Sequence, residues 1–210
     1  MIAILDYGMG NLRSVEKALA HVGVESERTV DHDVIRGAQG VILPGVGAFR
    51  RAMEKVRERG FDELLPELVD RGMPVLGLCL GMQLLFEEST ELGGAEGLGL
   101  LKGQVRPLDS KGLKVPQIGW NPVRWSEDLD DDALLSRGLP NPTPMYHVHS
   151  FSVRPDDPQV VIGTAEYGTE FVTAVEDGDV AGVQFHPEKS GPAGLRLLHN
   201  FATPVEAIAV

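Results

Sequence analysis

The sequence predicts an α/β fold in which a mostly parallel central sheet is flanked by helices and extended by an antiparallel segment. In the first half, short runs of entirely apolar residues alternate with helical patterns, as in parallel strands that are buried on both faces. In the second half, short strands are separated by turns rich in Gly, Pro and Asp, as in antiparallel sheets. A length of 210 residues fits one domain, 1–210, with a single core.

The first half is predicted to contain three strands, at 2–5, 40–43 and 74–78. Pro44 is expected to break the second strand. Asn11 is expected to cap the first helix, which Gly23 ends. Further helices are predicted at 48–59, 61–71 and 80–88. Strands joined through helices in this order favour parallel pairing.

The second half is predicted to form short strands at 105–125, 145–153, 160–165, 171–175 and 180–185. Hairpin turns are predicted at Gly168-Thr169 and Asp177-Gly178. The acidic stretch 127–132 is expected to be a solvated loop or a helix N-terminus. A last helix is predicted at 193–201.

Charge and composition exclude several classes of partner. The 31 acidic and 19 basic residues give a net charge of −12, which disfavours binding to nucleic acid or to anionic membranes. No apolar run approaches the roughly 18–20 residues of a membrane span. The first residues carry no basic leader, so a cytoplasmic location is expected. The single cysteine excludes an internal disulfide and leaves one thiol to explain.

That thiol lies in a G-x-C-x-G motif between the strand 74–78 and the next helix. A sharp turn from strand to helix strains the central residue, Cys79, and projects its side chain at the sheet edge, while Gly77 and Gly81 avoid collisions. The positive potential of a helix N-terminus favours a thiolate, and the N–H of Leu80 is expected to face a developing oxyanion. The alternative is a buried cysteine that packs as a small apolar side chain; the flanking glycines and the strand–helix context disfavour it.

A thiolate nucleophile needs a base and a group that orients the base. His186 and Glu188 lie two residues apart after a predicted strand, so that in extended backbone their side chains project to one side. Pro187 is expected to hold the chain extended between them. The alternative for such a pair is a surface ion pair.

A second oxyanion donor is expected from the segment 44–49, PGVGAF. Glycines on both sides of Val46 give a mobile backbone whose N–H groups can face an anion, so Val46 or Gly47 is proposed to act beside Leu80. The alternative is an ordinary strand-to-helix turn. His147 and His149, two apart on a predicted strand, raise the question of a metal pair, but a metal site needs a third ligand, and packed histidines are favoured.

Taken together, these motifs resemble the class I (triad-type) glutamine amidotransferases. Within that class the chain is most similar to glutaminase subunits that serve a separate cyclase in histidine biosynthesis. The cysteine and HPE motifs are common to the class, whereas DYGMGNLRS, PQIGWN and Met82 distinguish this subgroup. The resemblance extends over nearly the whole length, at 6–14, 44–49, 76–83, 116–121, 146–151 and 182–190.

The resemblance implies a flavodoxin-like fold and a catalytic triad of Cys79, His186 and Glu188, with no metal and no cofactor. Cys79 would attack the glutamine side-chain amide to form a γ-glutamyl thioester, which water hydrolyses. Ammonia would pass to a (β/α)8-barrel cyclase that makes imidazole glycerol phosphate, in a heterodimer. The groups implied to hold glutamine are Gln83 and the main chain around Gly47, Ser150 and Phe151.

The resemblance also implies a docking face for the cyclase. Trp120 alone suits a core and Lys189 a solvated face, but the resemblance places both at the interface, together with Met9 and Asn11. Two alternatives stay open: an amidotransferase subunit of another synthase, such as anthranilate synthase, and a non-catalytic thiol sensor on the same fold. Because the segment around Val46 is flexible, the isolated chain is expected to hydrolyse little glutamine.

Overall fold

The structure is a computed structural model that describes residues 1–126 and 135–203. The acidic stretch 127–132 lies outside the described residues. The strands are β1 (Ile2–Leu5), β2 (Ser26–Thr29), β3 (Gly40–Gly45), β4 (Val75–Cys79), β5 (Phe86–Ser89), β6 (Ala95–Glu96), β7 (Leu101–Pro107), β8 (Gln117–Trp125), β9 (Thr143–His149), β10 (Phe151–Pro155), β11 (Val161–Tyr167), β12 (Thr169–Asp177) and β13 (Val180–Val183). The helices are α1 (Leu12–His21), α2 (His32–Arg36), α3 (Phe49–Glu58), α4 (Phe61–Asp70), α5 (Leu80–Leu84) and α6 (Gly191–Ala202).

The predicted α/β class is confirmed. Five neighbouring strands, in the order β2-β1-β3-β4-β13, run parallel. From β13 the sheet continues through β12, β10 and β7 with antiparallel pairing, and β11, β8 and β9 branch from β12. One apolar layer packs α3, α4 and α5 on the parallel strands, and a second packs α1 and α6 on the opposite face. No helix among the described residues is long and apolar enough to cross a membrane.

Strand β3 runs through Pro44, so the expected break at this residue is wrong. Val41 donates its N–H toward β4, to the Pro74 carbonyl. The main-chain N–H and C=O groups of successive residues in a strand point alternately to the neighbouring strands on its two sides. The main-chain nitrogen and C=O of Pro44 therefore face β1 rather than β4. The register of β1 with β3 ends at Ile42. The missing N–H of Pro44 therefore interrupts no pairing between strands.

The helix predicted at 80–88 ends at Leu84, and the residues after it form β5. Main-chain contacts outside the helix explain the difference: Leu98 donates its N–H to the Leu84 carbonyl, and Gly97 donates to the Glu87 carbonyl. β5 also pairs in parallel with β7. These long-range hydrogen bonds outweigh the local helical pattern.

Several boundaries in the second half also differ from the prediction. The single stretch 105–125 is two strands, β7 and β8, and 145–153 is divided into β9 and β10 at Ser150. Both predicted hairpin turns are present, between β11 and β12 and between β12 and β13. The helices predicted at 48–59, 61–71 and 193–201 form as α3, α4 and α6.

Helix capping follows a different pattern from the one expected. Asn11 stands at the N-cap of α1 but makes no capping hydrogen bond with its side chain. Asp31 caps the unpredicted helix α2, because its carboxylate accepts from the N–H of Asp33 at 2.9 Å. Strand β2 was not predicted either, because its sequence, SERT, is polar and short.

Candidate active site

Cys79 ends β4 and begins the turn into α5, as the G-x-C-x-G motif predicts. Its φ of +54° and ψ of −108° lie where residues with a side chain are rare, which marks backbone strain. The turn leaves no space at the flanking glycines. A Cβ at Gly81 would lie 1.8 Å from the Leu43 carbonyl oxygen, and one at Gly77 would lie 2.6 Å from the Met82 nitrogen.

The structure brings His186 and Glu188 together as expected, but through a different backbone. The His186 Nδ1 lies 3.0 Å from the Glu188 Oε1, and the two side chains are 6% and 2% exposed. Residues Pro187–Lys189 form a 3₁₀ turn, so the expectation of an extended chain is wrong. The fixed φ of proline suits the first position of a helical turn, and the His186 carbonyl accepts from the Lys189 N–H at 3.0 Å.

The imidazole of His186 interacts with the Cys79 thiol, and this contact affects its pKa. Burial lowers its pKa, but the hydrogen bonds to Cys79 and Glu188, together with their charges, outweigh burial and raise the pKa to about 9. The contact with Glu188 occupies Nδ1, which leaves Nε2 for the thiol. The arrangement favours an imidazolium beside the sulfur near neutral pH.

A second series of polar side chains contacts the Cys79 sulfur through Gln184, a residue that the sequence analysis did not predict. The Gln184 Nε2 lies 3.7 Å from the Cys79 Sγ, and the Gln184 Oε1 accepts from the Gln83 Nε2 at 2.9 Å. The thiol itself lies 3.7 Å from the Val148 carbonyl oxygen. The available signal was alternation: Gln184 lies two residues before His186 and so shares its side of the chain.

One pocket of about 270 Å³ contains most of the residues predicted for chemistry and all of those predicted to hold the substrate. Pockets that bind small molecules measure about 300–1,000 Å³, so this pocket lies just below that range and suits a ligand no larger than an amino acid. Met9, Asn11, Trp120 and Glu188 do not line it. The predicted residues that do line it are Cys79, His186, Val46, Gly47, Leu80, Gln83, Ser150, Phe151 and Lys189.

Main-chain carbonyls at and just before the start of β10 already accept hydrogen bonds within the protein. The Phe151 carbonyl accepts from the Gln83 Nε2 at 3.2 Å and contacts the His149 Nδ1 at 2.8 Å. The Ser150 carbonyl accepts from the Leu108 N–H. Both amide hydrogens of Gln83 are engaged as well, one with Phe151 and one with Gln184. Of the Gln83 side chain, the Oε1 is left to meet a ligand.

Glu91 also lines the pocket and was missed by the sequence reasoning. Its carboxylate accepts from the Phe49 N–H at 2.6 Å, at the start of α3. No local motif surrounds Glu91; it reaches the pocket because the chain turns after β5. With Lys189 it places one negative and one positive charge on the pocket wall.

His147 and His149 are packed histidines with every ring nitrogen engaged. His147 contacts the Met145 carbonyl and the Thr173 hydroxyl, and His149 contacts the Phe151 carbonyl and the Gln117 side chain, all within 3.0 Å. Burial is the main cause that lowers their pKa values, to about 3 and about 4. The described residues hold no group of three or more His, Cys, Asp or Glu that fits a metal ion.

The residues predicted for the docking face differ in exposure. Trp120 is 59% exposed and stacks edge-on against Tyr146, at 6.0 Å between ring centres. Ile118, two residues earlier on β8, is 61% exposed. Lys189 is exposed, while Met9 and Asn11 are partly buried. Asn11 borders a small cavity that Glu188 also lines.

Comparison with protein families matches residues 3–205 to a model described as glutamine amidotransferase class-I. The imidazole glycerol phosphate synthase subunit HisH of Moorella thermoacetica is 50% identical over 95% of this chain and 93% of the relative. The protein of the same name from Bacillus cereus strain G9842 is 49% identical over 99% of this chain and 96% of its own. The Rhodopirellula baltica protein of that name is 49% identical over 98% and 99%.

Solved structures share the fold at low sequence identity. A crystal structure of glutamine amidotransferase superposes with a TM-score of 0.74 at 20% identity, covering 96% of this chain and 98% of that one. The structure of PurLQS from Thermotoga maritima superposes with a TM-score of 0.72 at 20% identity, covering 95% and 96%.

Proposed function

The chain belongs to the class I glutamine amidotransferases, and from that membership we propose that it is the glutaminase subunit of an imidazole glycerol phosphate synthase. One observation carries the chemical part: Cys79 and His186 line one pocket, with Glu188 hydrogen bonded to the imidazole. The relatives at about 50% identity support the choice of synthase over others of the class.

In the proposed reaction, the Cys79 sulfur attacks the side-chain amide carbon of glutamine. The carbonyl oxygen becomes an oxyanion, which the N–H groups of Leu80 and of Val46 or Gly47 stabilise. His186 gives its proton to the departing ammonia, leaving a γ-glutamyl thioester. His186 then takes a proton from water, which attacks the thioester and releases glutamate. Glu188 keeps the imidazole oriented throughout.

The pocket suits glutamine because its wall carries a negative charge on Glu91 and a positive charge on Lys189, and the substrate has an α-ammonium and an α-carboxylate group. The Glu91 carboxylate is placed to meet the α-ammonium group, and the Gln83 Oε1 and the main chain around Gly47, Ser150 and Phe151 are proposed to orient the rest. This chemistry uses only groups of the chain, so we propose that it needs no cofactor and no metal.

Ammonia is proposed to pass to a (β/α)8-barrel cyclase that docks over the pocket, forming a heterodimer. Exposed apolar side chains at this end support docking: Ile118 and Trp120 project from β8, next to β9, whose Val148 contacts the thiol. Lys189, Met9 and Asn11 complete the proposed face. We also propose that the chain acts as one domain, 1–210, in the cytoplasm.

Glutamate production tests the proposal. The chain alone is expected to turn over glutamine slowly, and addition of the cyclase subunit with its nucleotide substrate is expected to raise the rate strongly. Cys79→Ala should abolish turnover in both conditions, because no other thiol exists in the chain. Rapid hydrolysis without the cyclase would contradict the dependence on a partner, and turnover by Cys79→Ala would contradict the mechanism.

Partner choice and thiol chemistry separate the two alternatives. Stimulation by an anthranilate synthase partner, and not by the cyclase, would assign the chain to that synthase instead. Labelling of Cys79 by a diazoketone analogue of glutamine should be stoichiometric and blocked by glutamine. A sensor thiol would show no such protection.

A further inference from the structure

Tyr7, two residues after β1, contacts the strand that leads to the proposed oxyanion donors. Its side chain is buried, and its hydroxyl donates a hydrogen bond of 2.5 Å to the Pro44 carbonyl oxygen. The strands β1 and β3 no longer pair at this level, because their register ends with Ile4 opposite Ile42. The hydroxyl therefore supplies a donor that the main chain of β1 does not.

The same hydroxyl packs on the next residue. A Cβ at Gly45 would lie 2.8 Å from the Tyr7 hydroxyl oxygen and 2.9 Å from the Gly81 nitrogen, so Gly45 is confined between Tyr7 and the turn after Cys79. Gly45 also pairs with Cys79 in the sheet. Val46, which lines the pocket, follows directly. Tyr7 thus contacts the last two residues of β3, which directly precede the proposed donors.

We propose that Tyr7 is a positioning residue for glutamine hydrolysis: its hydroxyl holds the Pro44 carbonyl and so fixes the point from which the N–H group of Val46 or Gly47 reaches the oxyanion. The inference rests on the proposed function, because the oxyanion exists only if Cys79 attacks an amide. Each peptide is planar, so holding one carbonyl oxygen fixes the direction in which the next peptides begin. Oxyanion donors stabilise charge only when they are placed in advance.

The ionisation state of Tyr7 is consistent with this role. Burial, and secondly the charge of Cys79, raise the pKa of Tyr7 well above its ordinary value. The hydroxyl therefore stays protonated at working pH and remains a donor to Pro44.

Tyr7→Phe tests the proposal in the complex with the cyclase, because phenylalanine keeps the ring and removes only the donor. Losing one oxyanion donor outright costs about 10²–10³-fold in kcat, so a displaced donor is expected to lower kcat by about 3–30-fold. The KM for glutamine should change much less than kcat, since the proposed contacts with Glu91, Gln83 and the main chain of Ser150 and Phe151 remain. Turnover is expressed per thiol titrated by the diazoketone, which removes any effect of misfolded protein.

Two measurements separate positioning from a general effect on the fold. Tyr167→Phe is the matched control: the Tyr167 hydroxyl also donates to a main-chain carbonyl, that of Lys114 at 2.7 Å, but neither residue lines the pocket. It should leave kcat unchanged. Alkylation of Cys79 by iodoacetamide forms no oxyanion. The alkylation rate of Tyr7→Phe should therefore match that of the chain without the substitution.

An unchanged kcat in Tyr7→Phe would overturn the proposal. An equal fall in the iodoacetamide rate would also overturn it, because the hydroxyl would then act on the thiol. Absence of glutamine hydrolysis in the unmodified complex would contradict the proposed function, and the inference with it.

Discussion

His186 occupies an environment in which two opposing effects act on one ring. Burial alone would make the imidazole neutral, as it does for His147 and His149. The thiol and the Glu188 carboxylate reverse this outcome and raise the pKa of His186 to about 9. Neighbouring partners, rather than depth in the protein, therefore decide which histidine of this region carries a proton.

We expect Cys79→Ala to lower the titration midpoint of His186 well below 9, because the variant removes a hydrogen bond and a charge that favour the imidazolium. Nuclear magnetic resonance of the labelled ring measures this midpoint. Glu188→Gln should lower it as well, since the carboxylate also raises the pKa. A midpoint that stays near 9 in both variants would contradict the assigned causes.

The same shift has a consequence for stability. The folded pKa lies above the unfolded value of 6.5, so the contribution of His186 is fully present below about pH 6.5 and is lost as the pH rises through about 9. In His186→Gln, the free energy of unfolding should lack this decline on the alkaline side.

At the residue scale, the prediction that Cys79 and His186 would meet came from the need of a thiolate for a base and from the family resemblance, while spacing predicted only that His186 would lie beside Glu188. Gln184 and Glu91 were not predicted, because their places near the thiol and in the pocket depend on tertiary contacts with Gln83 and Phe49. For Gln184 the spacing of two residues from His186 was a usable local signal, whereas no local pattern points to Glu91.

At the scale of elements, the sharp turn after β4 depends on close approach of α5 to β3. Gly81→Ala should lower the free energy of unfolding by about 3 kcal/mol, the upper end of the usual cost of overpacking, because the new methyl group meets the Leu43 carbonyl. Denaturant unfolding measures the loss. Turnover should fall too, since the turn carries Cys79.

Gly37→Ala is the control for that variant. Gly37 has a φ of −85°, and an added Cβ would meet its nearest atom, the Asp33 carbonyl oxygen, at an ordinary 3.5 Å. The free energy of unfolding of Gly37→Ala should stay within about 1 kcal/mol of that of the parent chain. Equal losses in the two variants would show that the tight crossing at Gly81 is not the cause.

Local pattern predicted elements well where burial is regular and poorly where long-range pairing decides. The apolar runs of β1 and β4 and the amphipathic α3 and α4 appear close to their predicted positions. The helix expected at 80–88 was shortened by main-chain hydrogen bonds from residues 97 and 98, which no local window contains. The polar β2 is a strand because β1 offers it a partner.

On the scale of the whole molecule, the exposed apolar side chains of β8, Ile118 and Trp120, belong to the proposed docking face. Trp120→Ala should weaken binding of the cyclase about 10–100-fold, because buried aromatic anchors contribute most to such interfaces. Titration calorimetry measures the affinity. The rate of iodoacetamide alkylation of Cys79 should not change.

Val30→Ala is the matched control for this prediction. Val30 is 45% exposed and follows β2, the far edge of the parallel strands. Shortening the Val30 side chain should leave the affinity for the cyclase unchanged. Equal affinity of Trp120→Ala and the parent would contradict the proposed docking face.

The bonding of His149 leaves proton transfer in the pocket to one ring. Two imidazoles line the pocket, those of His149 and His186. Both ring nitrogens of His149 already contact groups of the protein, the Phe151 carbonyl and the Gln117 side chain, whereas the Nε2 of His186 is left for the thiol. A molecule bound beside Cys79 therefore meets one imidazole with a nitrogen to spare and one without.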